Sequence, residues 1–525
     1  MSYQPEAVAP RWRGRLLDFL LVALLAGLGA KAAHGAAGAR DVDFADEGGY
    51  SMAAARLPQD GLPPLEMSPL YAVFQRAMLV CGAPLDELVA CKWAAFAALL
   101  PISIFVLARA LRAGRVAALA VAGFVPATTL IDIWPYPLHL SACVLALGAA
   151  LAVRLPRPLG CAALGLTLLT ATYTRPEYWY SLCAFAPLAL GAAVVAVRRG
   201  HGRATARAAG AFALGATVLV LALGNPKPAG GRSVVALGQH YANNKLLAGE
   251  PIEAPWHLWE TYFRADFGDA NGVGDALRNN PRAFFWHVGQ NAARVPAVLL
   301  SAARPRLDFT HLSHPHLWID VPLAPHAGAE AIGARLVAGV VALGFVGVVF
   351  GLRNWRRGDP AAGALPLGVL ALVLVIAPAA AAALLVFPRM HYAVPTLAFS
   401  AAVSAAGFRH LPVPRPALGA RGTLVALVLL ATALGFVVPN RAKGVCAQAK
   451  LWRSGGKQVV QPLPTYNRDS LRALRGLGAP PTAVCLDHTP VRPFFAGFAA
   501  PAFDPFTAPA GVGLLELVKR SDVGV

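Results

Sequence analysis

About eleven apolar segments run through this 525-residue chain, at 16–33, 88–110, 116–133, 138–153, 159–173, 178–197, 208–224, 331–352, 361–387, 392–407 and 423–438. A soluble domain builds one core and has no use for so many stretches near the ~20 residues that cross a bilayer. With 57% hydrophobic and only 14% charged residues, the chain reads as an all-α polytopic membrane protein of about eleven transmembrane helices. Its 43 prolines and 50 glycines do not argue against helices, because neighbours in a bundle satisfy the backbone groups that such residues free. Several segments are short, so bilayer thinning or borrowed flanking residues must complete them.

A net charge of +19 would point to nucleic acid in a soluble chain. Its distribution says otherwise. With the N-terminus in the cytoplasm, that side receives Arg11, Arg13 and Arg15, then Arg109, Arg112 and Arg115, Arg154 and Arg157, Arg198, Arg199, Arg203 and Arg207, Arg353, Arg356 and Arg357, and Arg409, Arg415 and Arg421. Only Glu6 and Asp359 oppose them there. This is the positive-inside pattern, and it replaces a nucleic-acid partner with a lipid bilayer. It predicts an integral protein of the cytoplasmic membrane. Residues 1–439 form a transmembrane domain with outer loops at 34–87 and 225–330, and 440–525 an extracytoplasmic C-terminal region. Lys31, close to the small residues that follow the first segment, argues against a cleaved signal sequence.

The chemistry-bearing residues then fall on the outer side. Asp43 offers a cap for a helix that opens on Asp46 and Glu47, where the macrodipole favours negative charge, and Tyr50, Ala53, Ala54 and Leu57 follow at helical spacing. Leu70, Val73, Phe74, Ala77 and Met78 repeat that spacing, giving two juxtamembrane helices with apolar faces suited to the headgroup region. Asp132 stands in the second outer loop, Arg175 and Glu177 in the third, and Arg389, His391 and Tyr392 in the fifth. Carboxylates can take a proton from a sugar acceptor, and guanidinium forks can hold a departing phosphate. The plainer alternatives are that Asp46 and Glu47 only cap a helix and that the arginines only reach from helix ends to water.

At these residues the chain resembles the GT-C superfamily of membrane glycosyltransferases, which includes protein O-mannosyltransferases, lipid A aminoarabinose transferases and mycobacterial arabinofuranosyltransferases. Asp46-Glu47-Gly-Gly-Tyr50, then Gly61 and Ser68-Pro69-Leu70-Tyr71, is similar to the first outer loop of that superfamily. Thr174-Arg175-Pro176-Glu177 resembles a motif of the arabinofuranosyltransferase-like branch, and Arg389-Met-His391-Tyr392 a basic-aromatic motif before late helices. The resemblance implies a GT-C-like fold, a polyprenyl-phosphate-linked sugar as donor and a cell-envelope glycan, lipid or protein as acceptor. It implies Asp46 and Glu47 as catalytic acids, with Arg175, Arg389, His391 and Tyr392 at the donor phosphate. Asp132 and Glu177 form a second acidic set for an acceptor or metal. The resemblance demands no cofactor but leaves room for a divalent cation (Mg, Mn or Ca), because some members use one.

In the fourth outer loop, Trp256, Trp259, Phe284, Phe285 and Trp286 suit interfacial anchoring or stacking on sugar. His311, His314 and His316 match no closed zinc spacing. The tail combines a strand pattern at 482–486 with a helix pattern at 469–477, which predicts a small α/β region. An oxidising compartment permits a disulfide between Cys446 and Cys485, and the spacing does not require one. The rival from another class is a lipid or glycan transporter or flippase. It expects ionisable groups at mid-membrane, whereas Asp18, Lys31 and Lys92 all stand near segment ends.

Overall fold

The computed structural model describes residues 11–36, 46–132, 137–228, 232–253, 255–256, 258–303, 329–359, 362–412, 419–438, 449–454, 457–462, 471–472, 475–476 and 494–495. Helices dominate them. Eight are long and apolar enough to cross a membrane. They are α1 (Arg11–Ala33), α4 (Leu88–Ala110), α6 (Pro137–Arg154), α8 (Tyr178–Arg198), α9 (Gly202–Leu223), α14 (Ala329–Arg356), α15 (Leu365–Leu385) and α17 (Ala420–Val437). Three further segments read as apolar form shorter helices: α5 (Arg115–Ala127), α7 (Arg157–Thr172) and α16 (Ala393–Gly407).

The short helices are short for a physical reason. α16 lies inside the bundle, packed by α4, α5, α6, α14 and α15, and its buried residues run almost unbroken from Ala393 to Gly407. It continues into 3-10 turns on both sides, Met390–Tyr392 and Phe408–His410, and α5 is likewise followed by one at Thr129–Asp132. The tighter turns extend the segment where protein, not lipid, surrounds the backbone. By contrast, α9 exposes Leu214, Val218 and Leu221, and α17 exposes Leu424, Val428 and Phe436, as lipid-facing helices do.

Small residues set the closest helix crossing. A Cβ on Gly347 of α14 would collide with the carbonyl oxygen of Gly407 in α16, and one on Gly407 with the carbonyl of Gly344. Ser404 Oγ donates to the Val341 carbonyl at 3.0 Å across the same contact. Backbones approach this closely only where side chains are absent.

Polar contacts distinguish the two ends of the bundle. At one end Arg115 and Arg109 both reach Asp18, at 2.7 and 3.3 Å, tying α1 to α4 and α5. At the other, Lys31 donates to the Gly435 carbonyl, joining the last turns of α1 and α17. That second end also carries α2 (Asp46–Asp60) and α3 (Pro69–Val80), the two helices read as juxtamembrane. Tyr50, Ala54, Tyr71 and Ala72 turn into protein, while Leu70, Val73, Phe74, Ala77 and Met78, the α3 face read as apolar, stay partly or fully exposed.

The long loop between α9 and α14 is a helical unit of α10 (Arg232–Leu247), α11 (Trp259–Phe267), α12 (Val273–Asn279) and α13 (Pro281–Ala302). It has its own core of Leu237, Tyr241, Phe263, Phe267, Ala276 and Phe284. Trp259 packs over Gly238, where a Cβ would clash with its ring, so these aromatics build a core before they could anchor a membrane; Phe285 alone of the five is strongly exposed. In the tail, β1 (Ala449–Ser454) and β2 (Lys457–Pro462) pair antiparallel. Leu471 and Phe495 pack with Leu85, and Arg475 lies 3.5 Å from Asp86, so the tail touches the turn leading into α4. The strand pattern at 482–486, His311, His314, His316, Cys446 and Cys485 lie outside the described residues.

Gly347→Ala should lower thermal stability in detergent by about 1–3 kcal/mol through overpacking. Gly339→Ala, on the same helix with open space where its Cβ would go, should be neutral or stabilising. Equal melting temperatures for the two variants would remove the crossing as a determinant of stability.

Candidate functional site

The second residue of α2 decides how the outer helices dock. Glu47 is fully buried, and its Oε2 accepts from Lys92 Nζ at 2.5 Å and from Tyr71 Oη at 2.8 Å. Lys92, in the second turn of α4, is equally buried. Its ammonium also donates to Ser51 Oγ at 3.2 Å and Gln75 Oε1 at 3.4 Å, and Ser51 donates to Gln75 at 3.0 Å. Two charges removed from water need each other and a surrounding set of donors and acceptors, and α2, α3 and α4 supply it jointly. This is why Tyr50 and Tyr71 turn inward.

Glu47, expected as a catalytic acid, has its carboxylate paired with Lys92, a residue near a segment end. No periodicity announces that pair, since its members lie in separate helices. Asp46 is the first residue of α2, and Asp132 ends the 3-10 turn after α5; their side chains lie outside the described set.

α3 is fastened to the turn between α7 and α8 by the Leu70 N–H, which donates to the Tyr173 carbonyl at 3.0 Å. The following Thr174 is buried and shares a hydrogen bond with Ser141 of α6 at 2.5 Å. Arg175 then forms a forked ion pair with Glu177, with Nε 3.1 Å from Oε2 and the second nitrogen on Oε1. Burial works against the guanidinium charge, but Glu177, aided by Tyr392 and Tyr50, more than offsets it and holds the arginine pKa above its usual range. Arg175 thus lies within electrostatic reach of Tyr50, which follows the acids, and of Tyr392, which ends the basic-aromatic run.

The segment after α15 is held from its other side by the loop unit. Asn291 Nδ2 donates to the Leu384 carbonyl at 2.8 Å, and His287 Nε2 lies 3.2 Å from the Leu385 carbonyl, so α13 occupies carbonyls that the end of α15 leaves open. Asn244 of α10 joins both, at 2.9 Å from His287 Nδ1 and 2.8 Å from Asn291 Oδ1, and accepts from Arg294. Arg389 is thereby placed against α10, its guanidinium 3.0 Å from His240 Nε2 and 5.7 Å from the Trp256 ring. His240 stacks on Phe387 at 4.9 Å. His391 is buried with its ring 4.3 Å from Tyr392. The sequence reading missed His240, Asn244, His287 and Asn291 altogether; two histidines and two asparagines on amphipathic helices carry no spacing that would have marked them.

No protein-family model and no characterised protein matches this sequence. The site must be read from its own geometry. Among the described residues no three of His, Cys, Asp and Glu cluster as metal ligands, and the two described acids of the expected set, Glu47 and Glu177, are held by Lys92 and Arg175.

Removing one member of the buried pair should leave the other uncompensated. Lys92→Met or Glu47→Gln alone should each cost about 3–5 kcal/mol in denaturation measured in detergent, and the double variant should recover much of that loss. Additive losses would show that the two charges do not depend on each other.

Acid should loosen the loop unit. Burial, with Arg389 and His287 nearby, lowers the pKa of His240 well below the ordinary histidine range, and burial brings that of His287 to about 4. An unfolded chain takes up these protons below about pH 6.5, whereas the folded one does not, so stability falls as pH drops from 6.5 towards 4. For His287 the loss should approach about 3 kcal/mol. The melting temperature of His287→Gln should be flatter across that window, and an unchanged slope would exclude His287 as the cause.

Proposed function

We propose that this chain is a membrane glycosyltransferase of GT-C type, moving a sugar from a polyprenyl-phosphate donor to a cell-envelope acceptor on the extracytoplasmic face. In this reading α5, α7 and α16 cross the membrane with the eight longer helices, the arginine-rich end with Asp18 is cytoplasmic, and the tail is an outer α/β cap. The observation that carries the proposal is that α3, docked with α2 around Glu47, is fastened through Leu70 to the loop that holds the forked Arg175–Glu177 pair. A transporter needs no such convergence of acids, arginines and aromatics at one surface.

The roles follow from what each residue already holds. Asp46, one position before the anchored Glu47, is the base: it accepts the proton of the acceptor hydroxyl as that oxygen attacks the anomeric carbon. The bond from that carbon to the phosphate oxygen breaks, and the lipid phosphate leaves with both bonding electrons. Arg389, oriented by His240 and Trp256, holds the phosphate. Arg175, forked onto Glu177, sets the wall between the first and fifth loops, with His391 and Tyr392 as further donors. Asp132 is the remaining acid for the acceptor. A divalent cation would have to draw on Asp46 and Asp132, since Glu47 and Glu177 are committed to cations, and proton transfer is assigned to Asp46 without one.

The test is a membrane assay with radiolabelled polyprenyl-phosphate sugars and a panel of cell-envelope acceptors. Asp46→Asn retains a hydrogen-bonding side chain but cannot take a proton, so turnover should fall about 10²–10⁴-fold while donor lipid still binds. Near-normal turnover would remove Asp46 from the mechanism. Lipid translocation with no glycosidic product in wild type would replace the proposal with a flippase.

A further inference from the structure

Asn243 of α10 is fully buried, and among the described residues neither its amide nitrogen nor its carbonyl oxygen has a hydrogen-bond partner. Three residues earlier on the same helix face, His240 is also buried, and its Nδ1 is likewise without a partner among the described residues. Each such atom costs about 1–3 kcal/mol, so a stable fold retains a cluster of them only where something else completes the bonds.

The protonation of His240 follows from its neighbour. A guanidinium only donates, so His240 Nε2, 3.0 Å from Arg389, must be the acceptor and Nδ1 carries the hydrogen. α10 therefore presents one ring N–H and, within a turn, an amide that both donates and accepts. Aromatic surface surrounds them. Trp256 meets the His240 ring edge-on at 5.0 Å, and Gln239, one turn before Asn243, holds the Trp256 carbonyl at 3.1 Å. Phe387 backs the imidazole. A hydroxylated ring matches this combination, since its hydroxyls donate and accept while its C–H face packs on aromatics. Arg389 adds a cation at the same place, which fits a ring attached to a phosphate.

We propose that His240 and Asn243 bind the hydroxyl groups of the donor's sugar ring and so select which sugar is transferred. The assignment rests on the glycosyl-transfer reading and adds to it a sugar subsite on the loop unit, beside Arg389.

The test compares binding of polyprenyl phosphate alone with that of the same lipid carrying mannose, glucose or arabinofuranose, using the full-length chain in nanodiscs. Wild type should bind one sugar-bearing lipid more tightly than the bare phosphate. Asn243→Leu removes the buried amide, and His240→Gln keeps an acceptor towards Arg389 while dropping the Nδ1 donor. Each should lose about three- to tenfold of that preference, as for one neutral hydrogen bond, and Asn243→Leu, which touches no phosphate-holding residue, should leave affinity for bare polyprenyl phosphate unchanged. Preference retained in both variants would mean that solvent completes these bonds, and would overturn the subsite while leaving the glycosyltransferase reading intact. Parallel loss of bare-lipid binding in Asn243→Leu would make that residue structural, and a wild type that binds both lipid forms equally would show no sugar is read; either overturns it. A wild type that binds none of these lipids would sink both proposals.

Discussion

A carboxylate and an ammonium taken wholly out of water must find one another, and the Glu47–Lys92 pair is the point on which the outer end of this bundle depends. Lys92 belongs to α4, which packs against α1, α5, α6 and α16, so it is fixed by the interior of the membrane domain. Glu47 belongs to α2, which would otherwise be a surface helix with one apolar side. Their contact, completed by Tyr71, Ser51 and Gln75, docks one face of α2 and α3 onto α4. Asp46 inherits its position from that anchor.

A second constraint acts from the opposite side. The end of α15 leaves backbone carbonyls that need donors, and α13 provides them through Asn291 and His287. The loop unit is therefore docked by hydrogen bonds to backbone, which define position more sharply than apolar contact alone. Phe387 and Arg389 emerge directly after this clamp and meet α10. The basic-aromatic run is thus shared: its arginine faces the loop unit, and its tyrosine acts on Arg175. A site assembled between two such clamps can hold a lipid phosphate at one place and admit an acceptor at another, without either role resting on a mobile loop.

Buried polar groups serve two ends here. Glu47, Asn244, His287 and Asn291 are satisfied and position the outer elements. Among the described residues Asn243 and Nδ1 of His240 are not, and His240 lies beside a cation and two aromatic rings. A fold that satisfies the adjacent amide of Asn244 and leaves Asn243 bare has placed the cost where a ligand can repay it.

Much of the architecture was legible before any coordinate. The apolar segments, the arginines that alternate with them and the acid, arginine and aromatic motifs depend on composition and local spacing, which sequence states directly. The three short helices were legible as segments but not in length, because α5 and α16 pass into 3-10 turns that no apolar pattern marks. The inward face of α3 was not legible: Tyr71, Ala72 and Gln75 are buried, whereas Leu70, Val73, Phe74, Ala77 and Met78, the face that its periodicity marks, are not. Lys92 and the His240–Asn244 stretch were invisible, since a lysine near a helix end and an asparagine pair on an amphipathic helix look like solvent-facing residues. The sequence by itself determined a helical membrane protein with its charges sorted by side and its candidate acids and arginines in loops. Only the tertiary structure decided which charges are spent on each other, because pairing across helices depends on how the helices pack, and no local pattern encodes that.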